Sequence, residues 1–329
     1  MNKLEEDLNK LYDLRSNVLY VVIPCYNEEE VLIETSKQLL EKIDNLIINN
    51  RISEISKILL VDDGSTDKTW IIIEELHKKH GNISGLKLSR NRGHQNALFA
   101  GLMESSEYAD IIISMDADLQ DDIQTIDKML DKYNEGYDIV YGVRGKRDND
   151  TFFKRFTAES FYKLVNKIGG ELIYNHADFR LMSKRSVEAL SQFKEVNLFL
   201  RGLVPIIGYP STSVMYERNE RFAGNSKYSI NKMLSFALEG ITSLSIKPIR
   251  IITSLGFIVF TISIIMLVYI FIRYLNGATV TGWASIAVSI WFIGGLQIIS
   301  FGVVGEYIGK IYLETKERPR YIIEKFVQK

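Results

Sequence analysis

The chain has 329 residues, a formal net charge of −1 and a single cysteine. That length holds one large domain and something more. Near-neutral charge excludes a general nucleic-acid binder, whose partner calls for a basic excess. The lone Cys25 excludes an internal disulfide framework and fits a reducing compartment.

The N-terminal segment MNKLEEDLNKLYDLRSN mixes charges and has no apolar stretch, so no signal peptide is expected. Short runs rich in β-branched residues then predict strands at 19–24 (LYVVIP), 58–62, 86–89, 111–116 and 138–142 (DIVYG). Helical patterns fill the gaps at 28–49, 67–80, 94–107 and 121–134. Strands alternating with helices predict an α/β domain with a mainly parallel sheet, whose ligand crevice lies beyond the carboxyl ends of the strands. Three of those ends carry polar clusters: PCYNEEE, VDDGSTD and MDADLQDD.

Composition changes sharply near Arg250. Residues 251–272 give 22 positions without a charge, and residues 283–305 another 23. Each run reaches the roughly 20 residues needed to cross a bilayer, so two transmembrane helices are expected, at about 251–275 and 283–306. Lys247 and Arg250 precede the first run, and Lys310, Lys316, Arg318 and Arg320 follow the second, which places both termini in the cytoplasm. Residues 152–168 and 229–246 have the spacing of helices lying in the membrane plane. The expected division is a cytoplasmic catalytic domain at 1–228, a juxtamembrane helix at 229–250, and the two spans with a cytoplasmic tail at 251–329.

The usual phosphate cradles are missing. No G-x-G-x-x-G follows the first strand and no G-x-x-x-x-G-K-[ST] occurs, so any nucleotide must be held by other means. Asp116 and Asp118 supply one. Two acids spaced by two face the same side of an extended chain, and two such anions repel unless a cation compensates. Mg²⁺ or Mn²⁺, which also take phosphate oxygens, suit that place. A plainer alternative is an acidic loop leading into the helix near Asp121 and Asp122. His77 and His80 (HKKH) have no acid or thiol partners that would suggest zinc, and His94 in RNRGHQNA lines the pocket or caps the next helix.

IPCYNEE, VDDGSTD, SRNRGHQNALFAGL, MDADLQD and DFRLMSKR, in this order, resemble glycosyltransferase family 2. Within it the chain is similar to the membrane-bound polyprenyl-phosphate glycosyltransferases, the bactoprenol glucosyltransferases and dolichol-phosphate mannose synthase among them. The resemblance extends over almost the whole chain, including R-x-x-R-x-A-G-x-S-K-Y at 218–228 and the apolar hairpin. It implies a GT-A fold with one nucleotide-sugar site. Pro24, Tyr26, Glu28, Asp63, Asp116 and Ala117 would then surround the base and ribose, with Asp63 meeting the uracil N–H. Asp118 and Gln120 would hold the metal on the diphosphate. Asp178 matches the acid placed beside the sugar's reactive carbon as a base. A phosphate monoester acceptor, with a second pKa near 6, needs little help losing a proton, so Asp178 is equally a group that orients a basic residue, or a structural acid paired with Arg180. Arg144, Arg201, Arg218, Arg221 and Lys227 are the candidates for the acceptor phosphate.

The resemblance thus implies inverting transfer from a UDP-sugar to undecaprenyl phosphate at the cytoplasmic face of the plasma membrane, by a homotetramer. Glucose comes first as the sugar, then N-acetylglucosamine or galactose. A processive polysaccharide synthase would carry Q-x-x-R-W and more spans, and a transporter needs more than two. A non-catalytic nucleotide-sugar-binding protein would have no need of the acid set.

Overall fold

The computed structural model describes residues 16–145, 176–196, 198–217, 247–275 and 282–328. The described residues form two compact units. One takes those before 146, those between 176 and 217, and those from Pro319 onward; the other takes 247–318.

The first unit is a three-layer α/β structure. Its elements, in order, are β1 (Leu19–Cys25), α1 (Leu32–Ile48), β2 (Lys57–Asp62), α2 (Thr69–Lys79), β3 (Ile83–Leu88), α3 (His94–Ser106), β4 (Ile111–Ser114), α4 (Thr125–Asn134), β5 (Ile139–Arg144), β6 (His176–Ser183), α5 (Lys184–Ser191), α6 (Leu200–Ile206), β7 (Ser211–Tyr216) and, after the second unit, β8 (Ile323–Val327). The eight strands make one sheet in the order β7-β5-β6-β4-β1-β2-β3-β8. β1 lies wholly buried at its centre, and its alternate residues enter opposite cores. Leu19, Val21 and Ile23 join Leu32, Leu39, Ile73, Ile126 and Met129 on one face; Tyr20 and Val22 join Leu98, Leu102, Val187 and Leu203 on the other. That is why the strand reads as a continuous apolar run.

The expected run of parallel strands is found in β4, β1, β2 and β3. The sheet beyond it is mixed. β6 enters antiparallel between β4 and β5, and β8 lies antiparallel on the outer edge of β3. No strand was expected at β6, β7 or β8. β8 is fastened by Ser89 N–H donating to Ile322 O (2.9 Å), by ion pairs Lys87–Glu324 (2.8 Å) and Lys325–Glu74 (2.6 Å), and by Arg320, whose guanidinium lies 4.5 Å over the Phe99 ring. An edge that would otherwise present unpaired backbone groups is thereby covered.

Asp138, just before β5, ties β5 to β6 and α5. Its carboxylate accepts from Ser183 Oγ (2.8 Å) and from Nε and Nη2 of Arg185. The Arg185 hydrogen bond, opposed by burial, holds this carboxyl below its ordinary range. A depressed folded value contributes stability that is complete above the unfolded pKa, roughly 4 for aspartate, and is lost as pH falls through the folded value. Asp138→Asn is therefore expected to lower the melting temperature at neutral pH and to flatten its decline in acid. Thermal unfolding across a pH series measures both.

The second unit holds α7 (Lys247–Leu275) and α8 (Trp283–Thr315), which contact one another. At 1.5 Å per residue each is longer than the ~30 Å hydrocarbon core. Large apolar side chains project outward, Ile298 at 73% and Phe301 at 75% exposure. Such surfaces are untenable in water and ordinary in lipid. Among the described residues, Phe292–Thr315 is a stretch long and apolar enough to cross a membrane, and the helix it belongs to contains the second run expected at 283–306. The expected in-plane helices, 152–168 and 229–246, lie outside the described residues.

Candidate active site

The carboxyl ends of β1, β2 and β4 open on one side of the sheet, and the loops that follow are laced together. Asp63 N–H donates to Cys25 O (2.9 Å), Asn27 N–H to Ser65 Oγ (3.0 Å), Glu28 N–H to Thr69 Oγ1 (2.9 Å) and Thr66 N–H to Asn27 Oδ1 (2.9 Å). Pro24 is buried within β1, Tyr26 is exposed just beyond it, and Glu28 is half-buried. Asp67 precedes α2 and accepts from the N–H of its first residue, Thr69, at 2.9 Å.

Asp63 is buried, and each of its carboxylate oxygens is engaged. Oδ1 accepts from Arg92 N–H (2.7 Å) and Oδ2 from Gly93 N–H (2.9 Å). It holds the segment leading into α3 against the end of β2, so any contact with a uracil would use its remaining lone pairs. Gly64 makes that approach possible. Its φ is +64°, and a Cβ there would lie 2.5 Å from the Arg90 carbonyl carbon and the Asn91 amide. Gly64→Ala is expected to combine that clash with backbone strain of about 1–3 kcal/mol. The melting temperature should fall by several degrees, as calorimetry would measure.

From Met115 to Gln120 burial alternates: Asp116, Asp118 and Gln120 are partly exposed, while Ala117 and Leu119 are buried. The three polar residues thus share the open side. Asp118 Oδ1 accepts from Gln120 N–H (3.2 Å) across Leu119, which sits at φ +57°, a strained setting for a branched residue. Ala117 is anchored through its carbonyl, which accepts from Thr35 Oγ1 (2.7 Å). Asp121 and Asp122 part ways. Asp122 closes the turn before α4, accepting from Gln124 N–H (2.9 Å), whereas Asp121 is buried beside β7, accepting from Tyr216 Oη and lying 3.5 Å from Arg144 Nη2. Arg144 Nε donates to Tyr216 Oη at 3.1 Å.

Burial, with Asp116 and Asp118 nearby, pushes the Asp121 carboxyl up to about 6. Burial and its acidic neighbours Asp178 and Asp118 raise Asp116 as well, against His94 and Arg201. Asp121 Oδ2 is buried without a hydrogen-bond partner among the described residues. Crowded acids of this kind fit a divalent cation, with Asp118 and Gln120 as accessible oxygen donors. Among the described residues no three acid, histidine or cysteine side chains form a complete metal cage.

Asp178 lies on β6 next to the end of β4, its carbonyl receiving Ser114 Oγ–H. Its side chain is 6% exposed and is surrounded by basic side chains: Arg180 Nη2 at 2.8 Å, Arg201 Nη2 at 3.0 Å and Nε at 3.2 Å, and His94 Nε2 at 3.4 Å. Burial would raise this carboxyl, but Arg201, the His94 hydrogen bond and Arg180 outweigh it and hold it well below the usual range. The pair with Arg180 is therefore present, and Arg201, on α6, joins it. Arg218, Arg221 and Lys227 lie outside the described residues. Sequence reasoning left Tyr216 out and did not commit to His94. The only hint for His94 was its place at the opening of a helix; for Tyr216 there was none. His77 has a structural role, its Nδ1 being 2.7 Å from Ile83 O.

The chain belongs to glycosyltransferase family 2: residues 20–191 match the family model described as "Glycosyl transferase family 2", and the chain is a glycosyltransferase. Residues 247–311 match a second model, "GtrB C-terminal hairpin". It is 56% identical to the uncharacterized glycosyltransferase YkoT of Bacillus subtilis over 93% of this chain and 91% of that protein. It is 42% identical to the bactoprenol glucosyl transferase of Shigella phage SfX, over 92% of this chain and 98% of that one. The prophage bactoprenol glucosyl transferase homolog of Escherichia coli is 41% identical, over 93% and 98% respectively.

Proposed function

We propose that this chain transfers glucose from UDP-glucose to undecaprenyl phosphate, with inversion, at the cytoplasmic face of the plasma membrane. The similarity to the phage bactoprenol glucosyl transferase over nearly its whole length supports the acceptor and the sugar. The observation that carries the chemistry is the clamped carboxylate of Asp178. A carboxyl held so far below its ordinary range is a poor proton acceptor, and the acceptor phosphate is already mostly ionised. Asp178 instead orients Arg201, a guanidinium whose forked N–H donors suit a phosphate oxygen. The lipid phosphate oxygen attacks the anomeric carbon opposite the departing UDP, so the glycosidic C–O bond to phosphate forms as that to UDP breaks.

In this reading the sheet has a GT-A arrangement. Pro24, Tyr26, Glu28, Asp63, Asp116 and Ala117 surround the nucleotide, and Asp118 and Gln120 hold Mg²⁺ or Mn²⁺. The cation, when bound, neutralises charge that develops on the leaving diphosphate. Arg144 and Arg201, with Arg218, Arg221 and Lys227, face the acceptor. Residues 1–228 form the cytoplasmic catalytic domain, 229–250 a juxtamembrane helix, and α7 and α8 a two-span hairpin with both termini inside. The assembly is a homotetramer. The test is to incubate membranes holding the protein with undecaprenyl phosphate and radiolabelled UDP-glucose, UDP-N-acetylglucosamine or UDP-galactose. Lipid-extractable label from UDP-glucose is expected; label from another sugar corrects the donor, and none from any refutes the reaction.

A further inference from the structure

The segment 92–96 (RGHQN) joins the parts of the crevice. Arg92 and Gly93 donate their N–H groups to Asp63 at the end of β2, and Gln95 Oε1 accepts from Leu200 N–H (3.0 Å) at the start of α6. Asn96 Nδ2 donates back to Arg92 O (2.8 Å), closing the turn. Gly93 has φ +86°. The backbone and neighbouring side chains are thus committed to fixing the first residue of α3, and that residue is His94. Its Nε2 lies 3.4 Å from Asp178 Oδ2 and 3.7 Å from Asp116 Oδ1.

Both neighbours are carboxylate oxygens, which only accept, so Nε2 carries the hydrogen. Among the described residues His94 is the one basic side chain in ion-pair range of Asp116. The two acids belong to different halves of the site: Asp116 to the loop that would carry the nucleotide, Asp178 to the reaction centre. We infer that His94 is a positioning residue for the transfer, bridging these two carboxylates through one imidazole nitrogen and so fixing the donor half of the crevice against the reaction centre. This rests on the glycosyl-transfer reading above.

The charged groups facing His94 are Asp178 from β6, Asp116 from the loop after β4, Arg201 from α6 and Asp63 from the end of β2. Burial lowers the imidazole pKa, but the hydrogen bond to Asp178 and the charges of Asp116 and Asp178 outweigh burial and Arg201, and the net direction is upward. The imidazolium therefore prevails below a pKa higher than that of free histidine. As pH rises through it the bridge loses its charge, while the two carboxylates remain.

The experiment compares wild type, His94→Ala and His94→Gln. Turnover is followed across pH, UDP binding is measured by calorimetry in the presence of Mn²⁺, and folding by thermal unfolding. Small misplacements at a reacting centre cost about 10²-fold, and His94→Ala should lose turnover on that scale with UDP binding little changed. Glutamine keeps a neutral N–H donor, worth roughly tenfold in recovered rate, and cannot titrate, so the high-pH fall of the wild type should be absent. Turnover of His94→Ala indistinguishable from wild type, or an unchanged high-pH limb in His94→Gln, would overturn the inference. If His94→Ala does not fold, the glutamine variant decides it. If the wild type moves no sugar, the reaction as read above is wrong, and the crystal structure of the glutamine or alanine variant judges the bridge. Asp116 must then have moved from its place beside Asp178; an unmoved Asp116 overturns the bridge.

Discussion

Asp178→Ala is expected to abolish transfer and to destabilise the catalytic domain by about 3–5 kcal/mol, because it strips a buried guanidinium of its counter-charge. Arg180 is 1% exposed, its Nε has no partner among the described residues, and Asp178 gone it would keep only a 3.4 Å contact with Leu200 O. The isosteric Asp178→Asn separates the two effects. It preserves one oxygen for Arg180 and should fold, yet it presents an amide N–H₂ where Arg201 and His94 now donate. Arg201 is then released from its bidentate hold, and transfer is expected to fall about 10²-fold. The pH profile distinguishes this role from that of a base. An acid limb near pH 6 belongs to the lipid phosphate and should persist in Asp178→Asn, whereas a limb that vanished with the substitution would mark Asp178 as the titrating group. Steady-state rates from pH 5 to 9, with thermal unfolding as the control, give the answer.

Asp118→Asn is expected to lower transfer by about 10²–10³-fold, the scale on which a single group aimed at developing charge acts, with little change in stability. Asp118 is partly exposed, and the hydrogen bond it accepts from Gln120 N–H is one that asparagine can also accept. Its loss should therefore register in cation binding rather than in folding. Mn²⁺ titration in the presence of UDP, followed by electron paramagnetic resonance, should show weakened binding in Asp118→Asn. EDTA should silence the wild type and added Mg²⁺ or Mn²⁺ restore it. Transfer that survives chelation would remove the metal from the mechanism.

The parts of the fold that sequence made visible are those whose residues answer to burial alone. β1, β2, β4 and β5 are apolar runs because both faces of the sheet are covered, and each polar cluster after a strand stands at the crevice. β3 starts at Ile83, earlier than its apolar core suggested, because Ser84 and Gly85 interrupt the pattern. β6 was missed because HADFRLMS carries Asp178 and Arg180 within a strand, a sequence that becomes tolerable only once the two neutralise each other in the interior. The acids of the site were legible, while their partners were not. Tyr216 reaches Asp121 across 95 residues and Arg201 reaches Asp178 across 23. Such distances carry no periodic signal, so the difference between a proton acceptor and a clamped anion at Asp178 emerges only when the chain is folded.

β8 follows the hairpin in sequence yet lies in the same sheet as the strands that precede it. A ribosome therefore makes β1 to β7, then both long apolar helices, and only afterwards the segment that seals β3. Until then Ile83–Leu88 has a bare flank, and Phe99 waits for the Arg320 and Tyr321 that stack on it. Completion of the sheet is thus deferred until the greasy segments have left the translation tunnel, so a molecule that never reaches the bilayer in full length keeps an unfinished, adhesive rim.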